Sequence, residues 1–190
     1  SHNYMFKHLE VKDGLSNNQV NAIYKDSHGF MWFGTASGLN RYDGYDTRIY
    51  RSLKDDGNSL PDSYIEDIQE DATGNLWVRT GAGYAIYNSV SDIFDRNVEG
   101  WMWHIGISGN PSTVYIDSEK IFWIYVAGKG IYCYKPGQEN AVMVAGTDTL
   151  LTEMNITDMT ECSEGILLAF GNGVLACLDR EKLNVKWTFD

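Results

Sequence analysis

Hydrophobic and polar residues alternate over short segments of this chain, and turns rich in Asp, Gly and Ser separate these segments. Apolar-rich runs at 20–24, 30–34, 38–43 and 47–51 have the two-residue period of β-strands rather than a helical period. The dipeptide Asp43-Gly44 precedes the fourth run and is a signal for a two-residue type I′ hairpin turn. The pattern therefore predicts four strands between residues 14 and 54.

The same segment recurs along the chain. A shift of 45 residues places it on a second copy without a gap, a third copy follows at a shift of 46 to 47, and a divergent fourth copy spans 156–189. The fourth copy keeps the spacing of Gly165, Leu168 and Gly173 but lacks the Asp and the Trp. The residues that recur are Asp26, Gly29, Trp32, Gly38 and Tyr42 in the first copy, Asp71, Gly74, Trp77, Gly83 and Tyr87 in the second, and Asp117, Trp123, Gly130 and Tyr134 in the third.

A four-stranded antiparallel unit repeated at this length is typical of a β-propeller blade. We therefore predict an all-β fold, a β-propeller of which about four blades are present. The predicted boundaries are 14–54, 55–99, 100–145 and 146–190 for the four blades. Residues 1–13 are expected to hold an outer strand of a preceding or closing blade, over Phe6–Val11, although the segment 185–189 is itself a candidate outer strand for the fourth blade. Pairing of Phe6–Val11 with 173–178, or displacement of 185–189, would indicate closure into a small ring.

Repetition favours a structural role for the shared residues. Asp26 is expected to accept backbone N–H groups within its turn, Gly29 to supply a positive φ, and Trp32 to pack between blades. A sugar-stacking role for the tryptophans is the alternative. The Asp-x-x-Gly turns lack the alternating oxygen ligands of an EF-hand loop, and Gly34–Gly38 does not match G-x-S-x-G. We predict no metal, no cofactor and no enzymatic activity in this segment.

Composition adds four observations. The chain has 25 aromatic residues, 19 glycines and 3 prolines, which suits short strands joined by tight turns. Its net charge of −11 opposes a phosphate backbone, so nucleic acid is not an expected partner. No apolar stretch is long enough to span a bilayer, and we expect a soluble or already processed segment. Cys133, Cys162 and Cys177 have no zinc-site spacing and are expected to be small buried strand residues, with a disulfide between two of them as the alternative.

The segment GLSNNQVNAIYKDSHGFMWFGTASGLNRYDGYDTRIY, residues 14–50, resembles the two-component regulator propeller repeat. The second copy is similar but has Arg79 and Tyr84 where the first has Gly34 and Leu39, and the third has Lys120 in place of the turn glycine. The resemblance implies the periplasmic sensor region of a hybrid two-component system of gut bacteria, with seven-bladed propellers, a membrane helix and a histidine kinase. It also implies recognition of oligosaccharides and control of polysaccharide-utilisation genes. The chain is then expected to be an N-terminal piece of a longer propeller.

A ligand is expected where the repeat breaks, because propellers use their variable loops for recognition. The largest break is 97–106, where Trp101, Trp103 and His104 are candidates for stacking on and hydrogen-bonding a sugar ring. Two alternating tryptophans that simply fill a core on a strand are the alternative. The other irregular loop spans 55–63, and its acidic residues argue against sulfated or uronic glycans at that place. A propeller that serves only protein contact, including homodimer formation through open blade faces, is the second functional hypothesis.

Overall fold

The computed structural model describes residues 8–150 and 155–190. The chain forms two compact units, residues 1–96 and residues 97–190, and each contains two four-stranded sheets. The first unit contains the strands β1 Val20–Lys25, β2 Met31–Thr35, β3 Gly38–Tyr42, β4 Thr47–Tyr50, β5 Ile65–Glu70, β6 Leu76–Thr80, β7 Gly83–Asn88 and β8 Ile93–Asp95. The second contains β9 Thr113–Ile116, β10 Phe122–Val126, β11 Gly130–Tyr134, β12 Val142–Met143, β13 Ile156–Cys162, β14 Gly165–Phe170, β15 Leu175–Asp179 and β16 Asn184–Phe189.

Each sheet is an antiparallel meander in which consecutive strands are neighbours. We call the sheets β1–β4, β5–β8, β9–β12 and β13–β16 blades 1 to 4. Each lies within the residues that the sequence assigned to one copy. The predicted all-β propeller fold with about four four-stranded blades is therefore confirmed.

Among residues 8–150 and 155–190, helical structure is confined to short segments. They are a 3-10 helix at Val11–Asp13, α1 at Val98–His104 and α2 at Thr147–Leu150. Of the outer strand expected over Phe6–Val11, residues 6 and 7 lie outside the described residues, 8–10 have no regular secondary structure, and Val11 begins the 3-10 helix. The segment 185–189 lies in β16, which pairs with β15 as the outer strand of blade 4. None of the helices within the described ranges is long and apolar enough to cross a membrane.

The turn predicted at Asp43-Gly44 has a different form. Tyr42 pairs with Thr47, so the connection contains four residues rather than two, and a positive φ occurs at Gly44 but not at Asp43. The Asp43 carboxylate accepts the backbone N–H groups of Tyr45 and Asp46, both at 2.8 Å. The type I′ prediction is wrong because the aspartate side chain itself stabilises a longer loop.

The core of the first unit lies between blades 1 and 2. Blade 1 contributes Trp32, Leu39 and Tyr50. Blade 2 contributes the residues that we call its upstream face, which are Ile65, Ile68, Leu76, Val78, Ala85, Tyr87 and Phe94. In the second unit, blade 4 packs against Trp123, Tyr125, Ile131 and Cys133 of blade 3 in the same manner. Each large side chain buried in this way contributes about 1.5–3 kcal/mol to stability, so blades stabilise one another in pairs.

The repeated aspartate joins the turn to the strand that follows it. In blade 1, one carboxylate oxygen of Asp26 accepts the backbone N–H groups of His28 and Phe30, both at 2.9 Å. The other oxygen accepts the indole N–H of Trp32 at 2.8 Å. The turn role predicted for Asp26 is thus confirmed, and its bond to the tryptophan is an additional finding.

The same arrangement recurs in blades 2 and 3. The indole N–H of Trp77 lies 3.1 Å from Asp71, and that of Trp123 lies 3.0 Å from Asp117. These tryptophans are fully buried, as is Trp32, so no ring face is open for a sugar to stack on. This burial supports the packing role, and the aspartate supplies the acceptor that a buried indole N–H needs.

The third copy has a lysine where a turn glycine is favoured. Gly29 and Gly74 have φ values of 92° and 83°, whereas Lys120 occupies the equivalent position at 64°. A side chain in this region of φ is strained by roughly 1 kcal/mol or more. We expect Lys120→Gly to raise the free energy of unfolding by about 1 kcal/mol in urea titration. Lys120→Ala is the control, since it keeps the strain, and a gain from alanine equal to that from glycine would contradict the explanation.

The three cysteines are free thiols. Cys133 and Cys177 are buried, as predicted, whereas Cys162 is half-buried. Burial is the main cause that raises the pKa of each buried thiol to about 11. Cys162 takes the position of the turn aspartate in blade 4.

Candidate functional site

The largest break in the repeat forms a helix and not a strand. Helix α1 begins after Asn97, whose side chain accepts the backbone N–H of Gly100 at 3.0 Å as an N-cap. Val98, Met102 and Ile105 are buried and recur at the spacing of one helical face. The picture of two alternating tryptophans on a strand is wrong, because these three residues anchor a helical face.

The candidate residues of this segment have different surroundings. Trp101 is half-buried and packs on the rings of Phe122 and Tyr134, with centroid distances of 5.0 and 5.8 Å. Trp103 is 70% exposed, and His104 beside it is also exposed. Residues two apart lie on different sides of a helix, so the two indoles do not form one continuous platform.

The structure thus divides the predicted site into an anchor and an exposed pair. Trp101 fixes the helix on the aromatic side chains of blade 3. Trp103 presents an indole to solvent, and His104 presents an imidazole that is able to donate and accept hydrogen bonds. An exposed ring next to a polar group has the chemistry needed to stack on a sugar and bind its hydroxyl groups.

A cavity that the sequence did not indicate lies in the first unit. It has a volume of about 320 Å³ and lies between β4, β8 and the 51–59 loop, and we call it the β4–β8 cavity. Its lining residues are Arg48, Ile49, Tyr50, Arg51, Leu53, Asp56, Asn58, Ser59, Asp92 and Phe94. Arg96 holds the loop in place by donating to the carbonyl groups of Ser59 at 2.7 Å and Leu60 at 3.0 Å. The loop wall of the cavity is therefore tied to the end of blade 2.

A polar network forms one wall of this cavity. The hydroxyls of Tyr50 and Tyr87 donate to the same oxygen of Asp92 at 2.7 and 2.6 Å, and Arg48 pairs with the other oxygen at 2.6 Å. Burial is the main cause that raises the pKa of both tyrosines. Burial opposes ionisation of Asp92 too, but the hydrogen bonds from the two tyrosines and the charge of Arg48 hold its pKa below the ordinary value. The network fixes the wall in one arrangement near neutral pH.

The cavity changes the charge picture of the 55–63 loop. The acidic residues of this loop predict that sulfated or uronic glycans are disfavoured there. Two arginines, Arg48 and Arg51, nevertheless line the same cavity as Asp56 and Asp92. Guanidinium, amide and carboxylate groups around one cavity suit a polyhydroxylated ligand. Asp92 stands where blade 1 has Thr47, and the structure gives it a positive φ of 57°.

The repeats have a known family. A family model described as "Two component regulator propeller" matches residues 14–37 and 59–82, which cover the first turn and the first two strands of blades 1 and 2. These two segments therefore match the two-component regulator propeller repeat. The resemblance drawn from residues 14–50 is thereby confirmed. The match to this propeller repeat supports the prediction that the segment is not an enzyme.

One relative matches part of the chain, and two solved structures share its fold. Over 58 residues the chain is 42% identical to "Histidine kinase P4" of Formosa agariphila, a match that covers 30% of this chain and 4% of the kinase. The extracellular domain of the putative hybrid two component system BT3049 of B. thetaiotaomicron shares its fold, with a TM-score of 0.68, 22% identity, and coverage of 95% of this chain and 26% of that one. The corresponding domain of BT4673 gives a TM-score of 0.54 at 17% identity, and covers 90% of this chain and 30% of that one. The chain spans less than a third of the length of each of these proteins.

Proposed function

We propose that this chain is part of the extracellular, periplasmic sensor region of a hybrid two-component sensor histidine kinase and response regulator. The observation that carries the proposal is the pair of regulator propeller repeats at 14–37 and 59–82. The histidine kinase relative and the extracellular domains that share the fold support it. The kinase and a membrane helix are expected elsewhere in the full-length protein, whose sequence tests this expectation directly.

The proposed ligand is an oligosaccharide, and its binding is proposed to regulate polysaccharide-utilisation genes. Two features of the described residues support such a ligand. Trp103 and His104 give an exposed ring beside a hydrogen-bonding group, and the β4–β8 cavity gives arginine, amide and carboxylate groups around an open volume. Aromatic stacking with a few placed polar groups is the usual way in which a protein surface holds a sugar.

Calorimetric titration of the intact extracellular region with neutral and acidic oligosaccharides tests the proposal. With the oligosaccharide that binds, we expect Trp103→Ala to weaken affinity roughly 10- to 30-fold, since loss of one central aromatic contact costs about 1.5–2 kcal/mol. Tyr45→Ala is the matched control, because Tyr45 is also an exposed aromatic residue and lies in a blade 1 turn. Unchanged affinity in Trp103→Ala would remove this residue from the site.

A non-catalytic scaffold for protein contact or homodimer formation is the second candidate. Phe189 is exposed and lines an apolar cavity of about 440 Å³ together with Leu175 and Trp187 on the outer part of blade 4. Exposed apolar surfaces of this kind commonly mark contact sites. Failure of every oligosaccharide to bind, together with a concentration-dependent dimer in sedimentation, would favour this candidate over the sensor.

A further inference from the structure

Equivalent residues of blades 1 and 2 differ sharply in exposure. The upstream face of blade 2 is buried throughout, and the corresponding positions of blade 1 are Val20, Ile23, Met31, Phe33, Asn40, Tyr42 and Ile49. Ile23 is 63% exposed, whereas its equivalent Ile68 is 4% exposed, and Val20 is 37% exposed against 0% for Ile65. Of the seven positions in blade 1, Asn40 is the buried one. The upstream face of blade 1 is thus open at Val20 and Ile23, and its other apolar residues are half-buried.

Both units show what covers such a face. In the first unit the upstream face of blade 2 packs on the tryptophan side of blade 1, around Trp32. In the second unit blade 4 packs on the tryptophan side of blade 3, around Trp123. Two separate interfaces thus follow one rule, in which an upstream face contacts the tryptophan side of the preceding blade. The open face of blade 1 has the shape and chemistry for another blade of this repeat.

A polar contact accompanies each of these interfaces. Glu70 of blade 2 accepts the hydroxyl and the backbone N–H of Ser27 in the turn of blade 1, at 3.0 and 3.1 Å. Glu161 of blade 4 binds the hydroxyl and the backbone N–H of Ser118 in the turn of blade 3 in the same way. The upstream blade supplies a serine, and the downstream blade supplies a carboxylate. The charge at the position of Glu70 and Glu161 therefore indicates which turn residue of the preceding blade can pair with it.

Blade 1 carries the opposite charge at the equivalent position. Lys25 takes the place of Glu70 at the end of the first strand of its blade and is exposed. Its ammonium group forms no hydrogen bond or ion pair within residues 8–150 and 155–190. An ammonium group is best matched by a carboxylate, so the turn that meets Lys25 is expected to have Asp or Glu where blades 1 and 3 have serine.

We propose that the open upstream face of blade 1 binds a further propeller blade from the rest of the same polypeptide, and that this blade bears an acidic turn residue which pairs with Lys25. The length of the extracellular domains that share the fold supports this source, since the chain spans 26% of one and 30% of another. A second copy of blade 4 is a poorer match. The residue after Cys162 in its turn is Ser163, the type of residue that meets a glutamate at the other interfaces.

Carbodiimide cross-linking of the full-length protein tests this proposal, because the reagent joins a lysine amine to a carboxylate in direct contact. Mass spectrometry is expected to find Lys25 joined to an Asp or Glu that follows the turn aspartate of a blade outside residues 1–190. Lys25→Arg keeps the charge but not the reactive amine, and it should abolish that product. A mixture of isotope-labelled and unlabelled protein shows whether the joined residues share one chain. A product between two copies, a product within residues 1–190, or no product from Lys25 would overturn the proposal.

Hydrogen exchange of the full-length protein provides a second measurement. Ile23→Asp is expected to speed amide exchange in β1 by roughly tenfold or more, because it places a charge in a buried interface. Val90→Asp is the matched control, since Val90 is 95% exposed in the turn before β8. An effect of Ile23→Asp no larger than that of Val90→Asp would show that the face is open to solvent in the full-length protein and would overturn the proposal.

Discussion

Replacement of Asp117 by alanine is expected to lower the free energy of unfolding by about 3–5 kcal/mol, as does the loss of one partner from a buried charged network. The Asp117 carboxylate is fully buried and accepts the backbone N–H of Ile121, the indole N–H of Trp123 and the guanidinium of Arg180, each at 3.0 Å. Alanine would leave the buried indole N–H without an acceptor and would release the turn that joins β9 to β10. Urea unfolding followed by tryptophan fluorescence measures the loss.

A double-mutant cycle separates the indole bond from the turn. Trp123→Phe removes the indole N–H, so the part of the Asp117→Ala loss that comes from an orphaned donor is absent in the double variant. We expect a coupling energy of about 1–2 kcal/mol between the two positions. Additivity of the two single losses to within about 0.5 kcal/mol would show that the aspartate acts on the turn alone.

Repetition makes the turn role of the aspartate predictable from the sequence, whereas its bond to tryptophan depends on strand geometry. Asp26, Asp71 and Asp117 recur before a glycine or a lysine in a turn, and this pattern by itself predicts backbone capping. The indole contact depends on where the second strand places its side chains after a five-residue turn. The signal was present, because the tryptophan follows the aspartate by six residues in each of these copies.

The sequence of the candidate site fits both a strand and a helix. Trp101 and Trp103 alternate as on a strand, yet Val98, Met102 and Ile105 follow the spacing of a helical face and Asn97 is a favourable N-cap. Over so few residues both periods fit, and burial of the three apolar residues decides in favour of the helix. As a result Trp103 is exposed, while Trp101 is held against blade 3.

The β4–β8 cavity was not predictable from one sequence. The Tyr50–Asp92 bond joins residues 42 positions apart, on strands and turns of different blades. Neither residue stands out by itself, since Tyr50 ends an ordinary strand and Asp92 lies in a turn between β7 and β8. Only the packing of blade 2 on blade 1 brings them together. The repeat predicts the blades, whereas side chains from two blades form the cavity.

The largest effect of a small substitution is expected at Gly165, in the hairpin of blade 4. A Cβ atom there would lie 1.9 Å from the carbonyl oxygen of Leu178, and the backbone φ is 150°. Alanine has to push β14 away from β15, where Ile166 pairs with Leu178 and both side chains are fully buried. We expect Gly165→Ala to lower the free energy of unfolding by at least about 3 kcal/mol in urea titration.

Gly173→Ala is the matched control for this steric effect. Gly173 also has a positive φ, of 86°, but a Cβ atom there meets nothing within 4 Å, so the expected loss is about 1 kcal/mol from backbone strain. The difference between the two variants measures the contact of Gly165 with the neighbouring strand. The hairpin of blade 4 is shorter than those of the other blades, because Cys162 pairs directly with Gly165, and a residue without a side chain is needed where this tight connection meets β15. Equal losses in the two variants would mean that backbone strain alone accounts for the glycine.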